Sequence, residues 1–330
     1  MCLLGVAGAV AASACSAAGD GRPQLEGSGA TGSGANGSGA TGAGIDPGNV
    51  DPGKTGGNEM CVRIGLFGRP PSYGAMQGGA DGIDALQSWL NAHVKAGTTV
   101  DVVTKDTELT ADFLGKYDVI LLQALEEREG GPYWSFSSAE LAAFESWVRG
   151  GGGVIALTGY GSQSQEVNPT NQLLAFTGMA FETDDAFAQC PDNCCYCAGS
   201  SIPVHGWRAD HPIAASITAV GAFHGRTIAA GDAEIVAAEG TATYGATKAL
   251  DAGRAFFFFD EWVTYSSQWA QSSAPGGFTP DASCSDVNNT CYGRTPASGY
   301  QVPQFWYNVL KWASGAPACF DFTPDVSVVR

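Results

Sequence analysis

Polar and acidic residues that could bind or process a sugar follow three apolar runs of the sequence. Carboxylates accept hydrogen bonds from hydroxyl groups, and aromatic rings pack against the C–H faces of sugar rings. Two carboxylates can also act as general acid and general base. The candidate ligand-binding residues are Gln123, Glu126, Thr158, Tyr160, Asp260, Glu261 and Trp262. The alternative is structural, with Glu261 capping a loop and Trp262 filling the core.

Two nearly all-apolar runs, 117–123 and 153–158, must position the first four of these candidates. Strands that are apolar on both faces are typical of a parallel sheet covered by helices. A helix between them, predicted over 139–149, would complete a right-handed strand–helix–strand unit. The sequence therefore predicts a doubly wound α/β fold with a mainly parallel sheet.

The predicted helix has clear start and stop signals. Its apolar residues share one face at helical spacing, and they are Leu141, Phe144, Trp147 and Val148. Ser137 and Glu140 have the spacing of a capping box. The glycines 150–153 end the helix and free the chain to turn into the next strand.

Further strands and helices are predicted between residue 61 and the C-terminus. The predicted strands are 62–67, 99–104, 233–238, 248–250 and 254–259. The predicted helices are 83–94, 110–114, 169–176 and 304–313. Parallel strands end at one edge of a sheet, where ligands bind in such folds. We therefore expect Asp260 to lie beside Thr158, although the two are far apart in sequence.

Ten cysteines are unusual for a cytosolic protein of this size, and two of them, Cys2 and Cys15, fall in the N-terminal leader. An even number of remaining cysteines in an exported chain predicts disulfides. The disulfide candidates are Cys61, Cys190, Cys194, Cys195, Cys197, Cys284, Cys291 and Cys319. Cys61 with Cys319 would join the first strand to the C-terminal tail, and Cys284 with Cys291 would close a short loop.

A metal site is the alternative for the compact insertion at about 186–200, whose cysteines follow a C-x3-C-C-x-C pattern. Adjacent cysteines do not easily face one tetrahedral zinc ion, which favours disulfides. His205 and His211 have a spacing that fits no standard metal site, and His224 is distant in sequence. The loop after the first strand lacks the phosphate-binding signature. The sequence predicts no metal and no cofactor.

The chain of 330 residues is strongly acidic, with a formal net charge of −17. A nucleic-acid partner requires clustered cations, so this class of function is excluded. Attraction to anionic lipid by charge is excluded for the same reason. Solubility alone also explains the acidity.

The first 60 residues indicate export. Residues 1–14 are uncharged and apolar, as in a signal peptide, and are too few to span a bilayer. Residues 12–15, Ala-Ser-Ala-Cys, resemble a bacterial lipobox, in which the cysteine becomes acylated, here Cys15. The rest of 15–60 is rich in Gly, Ser and Ala and is predicted to be a disordered tether. An ordinary cleaved signal peptide, giving a secreted protein, is the alternative.

Several segments between residues 61 and 317 together resemble one protein superfamily. The segments are KYDVILLQ, WVRGGGGVIALTGY, DHPIAASI, ALDAGRAFFFF and FWYNVLKWASG. They resemble the class I glutamine amidotransferase-like superfamily, and more closely its trehalose-utilisation-type (ThuA-like) branch. The resemblance implies a flavodoxin-like fold and, for that branch, chemistry on a sugar.

The amidotransferase nucleophile is missing from the place where the resemblance puts it. Amidotransferase members carry a cysteine on a G-x-C-x-G turn, which matches residues 158–161 here, Thr-Gly-Tyr-Gly. The His-x-Glu pattern that supplies their base is absent too. Glutaminase chemistry has no thiolate here, and Ser162 has no histidine placed for it by motif.

Residues 61–330 are therefore predicted to form one amidotransferase-like domain that binds a polar small molecule or a glycan. The protein would be exported to a bacterial cell envelope and held at the membrane only through its lipid anchor. One alternative is a trehalose-utilisation-type enzyme that acts on a sugar through Asp260 or Glu261. Another is a protein-interaction module of the envelope.

Overall fold

The computed structural model describes residues 61–68, 83–96, 98, 100–127, 131–158, 164–185, 202–204, 206–222, 225–266, 269 and 300–323. The predicted signal peptide, lipobox cysteine Cys15 and tether lie outside the described residues. So do Tyr160, the insertion at 186–200, His205 and His224.

Eleven strands and five helices make up the described residues. The strands are β1 Ile64–Phe67, β2 Val100–Val103, β3 Val119–Leu122, β4 Gly153–Leu157, β5 Ala180–Asp185, β6 Ile202–Val204, β7 Val220–Ala222, β8 Arg226–Ala229, β9 Glu234–Glu239, β10 Ala242–Leu250 and β11 Gly253–Phe258. The helices are α1 Asp84–His93, α2 Ala111–Leu114, α3 Ser138–Arg149, α4 Val167–Leu173 and α5 Val302–Ser314.

Seven strands form one central sheet in the order β2-β1-β3-β4-β11-β10-β9. The first five run parallel, while β10 is antiparallel to both of its neighbours. The predicted mainly parallel α/β sheet is confirmed. Strand β10 begins at Ala242 rather than at Lys248, because its first half pairs with β9 across a register shift. Two small antiparallel pairs, β5 with β8 and β6 with β7, were not predicted.

Helices flank both faces of this sheet. One row of paired residues crosses the parallel strands and consists of Phe67, Leu122, Ala156 and Phe257. On its face, the Phe67 ring lies 6.2 Å from the ring of Phe113 in α2. The neighbouring row contains Phe256, which faces the opposite side and lies 6.0 Å from Phe305 of α5. Alternating phenylalanines of β11 therefore fill two separate halves of the core.

The connection from α3 to β4 depends on close packing. The capping box of Ser137 and Glu140 is present at the start of α3. Only Gly151 of the following glycines has a positive φ, of 121°. A Cβ on Gly153 would lie 2.4 Å from the carbonyl oxygen of Ala313 in α5. Glycine is thus required at residue 153 for contact with α5 and at residue 151 for the turn.

The C-terminal helix is held by the segment that follows β6. Asn308 donates from Nδ2 to the carbonyl oxygens of Ile213, at 2.9 Å, and Ala215, at 2.8 Å. His211 caps the short turn 212–214 through Nδ1, which accepts from the Ile213 amide at 3.2 Å. Burial lowers the pKa of His211, which is consistent with a neutral imidazole that accepts this bond. His211 and Asn308 therefore have structural roles.

The predicted bond between Cys61 and Cys319 is confirmed, with an S–S distance of 1.99 Å. It joins the residues before β1 to the turn after α5. The other six disulfide candidates lie outside the described residues, and they are Cys190, Cys194, Cys195, Cys197, Cys284 and Cys291. Within the described ranges, no helix is both long and apolar enough to cross a bilayer.

Candidate functional site

Three neighbouring parallel strands end at the same edge of the sheet and bring four predicted residues together. Gln123 follows β3, Thr158 follows β4, and Asp260 and Glu261 follow β11. The Glu261 amide donates to the Thr158 carbonyl oxygen at 2.8 Å, which ties the ends of β4 and β11. A hydrogen bond of 2.9 Å from Gln123 Nε2 to Thr264 Oγ1 ties the end of β3 to the same turn.

The side chain of Gln123 presents a buried acceptor at this edge. Thr264 Oγ1 donates to the Glu261 carbonyl oxygen at 2.8 Å, so it accepts from Gln123 and fixes the orientation of the amide. Gln123 is 2% exposed, and its Oε1 atom has no hydrogen-bond partner among the described residues. Because leaving a buried acceptor unpaired costs about 1–3 kcal/mol, this oxygen is a candidate for contact with a ligand.

Asp260 and Glu261 have different local roles. Asp260 caps the turn 261–264, since its Oδ1 accepts from the Trp262 amide at 2.9 Å. The Glu261 carboxylate accepts from the Tyr265 hydroxyl at 2.6 Å. The half-buried Trp262 ring packs on Tyr265 with 5.3 Å between centroids. Capping thus belongs to Asp260, and Tyr265 holds the carboxylate of Glu261 in place.

Two further charged residues, Glu166 and Arg226, lie at the same edge and were not predicted. Arg226 Nε donates to Glu166 Oε1 at 3.2 Å, with both side chains 5% exposed. The Arg226 guanidinium also donates to the Thr183 carbonyl oxygen at 2.7 Å. The Arg226 amide donates to Thr158 Oγ1 at 3.2 Å and so fixes the pair beside the end of β4.

The electrostatic environment of Glu166 shows that the acidic groups are close together. The pKa of Glu166 is raised to about 8. Burial is the largest cause, Arg226 opposes it, and the charges of Glu261 and Glu126 add to the increase. Burial also raises the pKa of Tyr133, with contributions from Glu126 and Glu166. These surroundings therefore favour the protonated carboxyl of Glu166 more than water does.

Buried charge in the described residues is concentrated at this one edge. Apart from His211, every buried Asp, Glu, Lys, Arg or His among them belongs to it. We call this cluster the acidic edge, and its residues are Gln123, Glu126, Thr158, Glu166, Arg226, Asp260 and Glu261. The described residues contain no group of three or more His, Cys, Asp or Glu arranged to hold a metal ion.

The sequence and the fold can also be compared with those of known proteins. No protein-family model matches the chain, and neither does any curated protein. Among solved structures, cytoplasmic protein STM3548 from Salmonella typhimurium has a TM-score of 0.47 and 15% identity, over 76% of this chain and 98% of that one. The mmIFT52 N-terminal domain has a TM-score of 0.47 and 13% identity, over 80% and 99%.

A ThuA-like protein is also a structural neighbour at low identity. The protein comes from Bacteroides uniformis and is 12% identical, with a TM-score of 0.38 over 67% of this chain and 96% of that one. Similarities at this level carry no information on function.

Proposed function

We propose that the acidic edge binds a hydroxyl-rich small molecule or a glycan, in a protein that is exported and anchored by lipid. The observation that carries the ligand-binding part is a set of four buried carboxyl groups at one edge of the sheet, Glu126, Glu166, Asp260 and Glu261. The charges of Glu126 and Glu261 both act on Glu166, and Asp260 is the neighbour of Glu261 in sequence. Burying such groups is costly, and apolar residues would stabilise a purely structural core better. Strongly perturbed ionisable groups at the carboxyl edge of an α/β sheet are typical of functional sites.

The finer family assignment is part of this proposal. We place the domain with the flavodoxin-like, trehalose-utilisation-type branch of the amidotransferase-like superfamily. The strand order β2-β1-β3-β4 is that of flavodoxin-like sheets. Support also comes from two of the resembling segments that pack together, since Asn308 of FWYNVLKWASG binds the backbone of DHPIAASI.

The ligand-binding proposal is tested with a panel of glycans and small sugars on the purified domain. We expect at least one ligand whose binding is weakened about tenfold or more by Glu261→Gln, which removes a charge but keeps an acceptor for Tyr265. The matched control is Glu108→Gln on the exposed surface, which should bind as the wild type does. Ligands that bind both variants equally well would place the site elsewhere and contradict the proposal.

A second candidate function is an enzyme that acts on a sugar. It is favoured by the position of Glu166, a carboxyl with a pKa of about 8 close to the charges of Glu126 and Glu261. A protonated acid beside an ionised carboxylate is the arrangement used in general acid–base catalysis. NMR spectra of candidate sugars incubated with the domain should then show product signals that Glu166→Gln abolishes.

The described surface gives less support to the interaction module. Ile235 is its single large exposed hydrophobic side chain, at 43% exposure. Protein-binding surfaces are more often marked by contiguous apolar patches.

The lipid-anchor part of the proposal depends on Cys15 in the lipobox-like segment. Replacing it with serine removes the acylated sulfur, so Cys15→Ser should move the protein from the membrane fraction to the soluble fraction. Cys2→Ser, which leaves that segment intact, is the control. Retention of the Cys15→Ser form on carbonate-washed membranes would contradict the anchor.

A further inference from the structure

We propose that the group recognised at the acidic edge is a protonated amine, so that the ligand is an amino sugar or another aminated polyol. Neutral sugars and phosphorylated sugars would bind more weakly. This inference rests on the proposed function and names the ligand class of the same site.

The first argument concerns the kind of groups that the site offers. A sugar hydroxyl both donates and accepts hydrogen bonds, so a site for neutral sugars needs donors as well as acceptors. Glu126, Asp260 and Glu261 are acceptors when ionised, and a carboxylate has about four lone-pair positions. All three residues also make further contacts within the protein. An ammonium group only donates, which matches such a set.

The second and independent argument is the buried amide oxygen of Gln123. The nitrogen of this amide is engaged by Thr264, and Thr264 in turn bonds to the backbone of Glu261. The oxygen is therefore held next to the turn that carries Glu261, and no described residue donates a hydrogen bond to it. Because it can only accept, it requires a donor, and an ammonium group offers three donors where a hydroxyl offers one.

The arrangement of Arg226 argues against an anionic ligand. Its guanidinium is directed to Glu166 and to the Thr183 carbonyl oxygen, at 3.2 Å and 2.7 Å. A phosphate at this edge would face carboxyl groups and would compete with both acceptors for the N–H donors of Arg226. Weakening the buried pair with Glu166 in this way is costly.

The local electrostatics point in the same direction. Glu166 faces Arg226 from β8, Glu261 from the turn after β11 and Glu126 from the segment after β3, and Tyr133 also lies within range of its charge. Even beside Arg226, the carboxyl of Glu166 is harder to ionise than in water, since burial and the neighbouring acids outweigh the arginine. A bound cation would relieve part of this repulsion.

The test uses four probes that share the glucose skeleton, namely D-glucosamine, N-acetyl-D-glucosamine, D-glucose and D-glucose 6-phosphate. Binding is measured by calorimetry at physiological salt, where interactions between exposed charges are screened. The pH is slightly acidic, so that the free amine is protonated. N-acetylation replaces the ammonium group with a neutral but bulkier amide, and D-glucose has a hydroxyl group in its place. The two probes together therefore control for charge and for size.

We expect D-glucosamine to bind at least about tenfold more tightly than the other three probes. Glu261→Gln should remove most of this advantage, and Glu108→Gln should leave it unchanged. If both variants lost the preference for D-glucosamine equally, the overall acidity of the protein would be what attracts the amine. That result would overturn the inference.

Other outcomes separate this inference from the proposed function. D-glucose or N-acetyl-D-glucosamine could bind as tightly as D-glucosamine and lose affinity in Glu261→Gln. That result would contradict recognition of an amine but would support a sugar-binding site at the acidic edge. Recognition of an amine would also be contradicted if D-glucose 6-phosphate bound most tightly, or if D-glucosamine did not bind. The glycan panel tests the site itself and does not depend on these probes.

Discussion

At the scale of single residues, Glu166 titrates far from its behaviour in water. It is 6% exposed, pairs with Arg226 and has a pKa of about 8. The ionised form is disfavoured in the folded state because burial removes its hydration. An unfolded chain would ionise the same carboxyl near its ordinary pKa of 4.5. This difference couples folding to pH.

Glu166 should therefore make the protein less stable as pH rises from about 4.5 to about 8. Its stabilising contribution is complete below the unfolded pKa and is lost as pH approaches the folded pKa, with a slope of up to about 1.4 kcal/mol per pH unit. Glu166→Gln removes this component, because an amide does not titrate. Urea denaturation across the window should give a flatter stability profile for the variant, and parallel profiles would show that the pKa is not raised.

Gln123→Met should uncouple stability from binding. The change removes one hydrogen bond to Thr264 but also removes an unpaired buried oxygen that costs about 1–3 kcal/mol. We expect the free energy of unfolding to stay within about 1 kcal/mol of the wild type or to rise, while ligand affinity falls.

The matched control is Gln304→Met, which removes the 2.7 Å donor to Asn308 Oδ1 and should destabilise by about 1 kcal/mol. A larger loss for Gln123→Met than for this control would show that the Gln123 oxygen has a structural partner.

The sequence was sufficient for the residues that directly follow strands. Gln123, Thr158 and Asp260 could be predicted because an apolar run shows where each strand ends, and parallel strands share their carboxyl edge. Glu166 and Arg226 could not, since no strand precedes Glu166 directly and Arg226 begins the short strand β8. Their pairing joins residues 60 apart in sequence. No local pattern indicates such a contact.

At the scale of elements, α5 supports the turn that carries Glu261. Trp306 of α5 donates from Nε1 to the carbonyl oxygen of Val263 at 2.7 Å. From another face of the helix, Asn308 holds the segment 213–215. The amphipathic pattern of the sequence predicted this helix, but the partners of its polar residues become visible only in the fold.

Asn308→Ala should destabilise the domain by about 2–4 kcal/mol, because two carbonyl oxygens lose their donor in a buried position. Asn91→Ala on the exposed side of α1 is the control and should change the stability by less than about 0.5 kcal/mol. The measurement is the midpoint of urea denaturation. Equal effects of the two substitutions would mean that Asn308 does not hold the segment after His211.

The glycines after α3 show a limit of sequence reasoning at this scale. The run 150–153 predicted a flexible turn, yet only Gly151 has the positive φ that glycine favours. Gly152 is packed against Trp147, and Gly153 against the backbone of α5. Sequence alone does not distinguish a glycine needed for the turn from one needed for close packing.

At the scale of the whole molecule, one covalent bond joins the two ends of the described domain. Cys61 and Cys319 are 258 positions apart, and the chain after Cys319 adds a bridge between Phe320 and Val94 at the end of α1. The sequence predicted this pairing because an exported domain favours oxidation. It did not predict the antiparallel β9 and β10, since the pattern within a strand does not reveal its direction.

Replacing both cysteines with serine should lower the free energy of unfolding by about 2–4 kcal/mol, because the disulfide restricts the unfolded chain. Ligand binding should be retained, since the bond lies among the residues before β1 and after α5, away from the carboxyl edge. Chemical denaturation and the binding assay together check this. An unchanged stability would mean that the two thiols are not bonded in solution.

The most direct test of the central claim is a crystal structure of the domain with the tightest ligand from the sugar panel. We predict ligand donors within hydrogen-bonding distance, about 2.7–3.2 Å, of Gln123 Oε1 and of the Glu126 or Glu261 carboxylate. The side chain of Glu166 should lie beside the ligand and remain paired with Arg226. A ligand bound at another surface, with Gln123 and the carboxylates of the acidic edge untouched, would contradict the account.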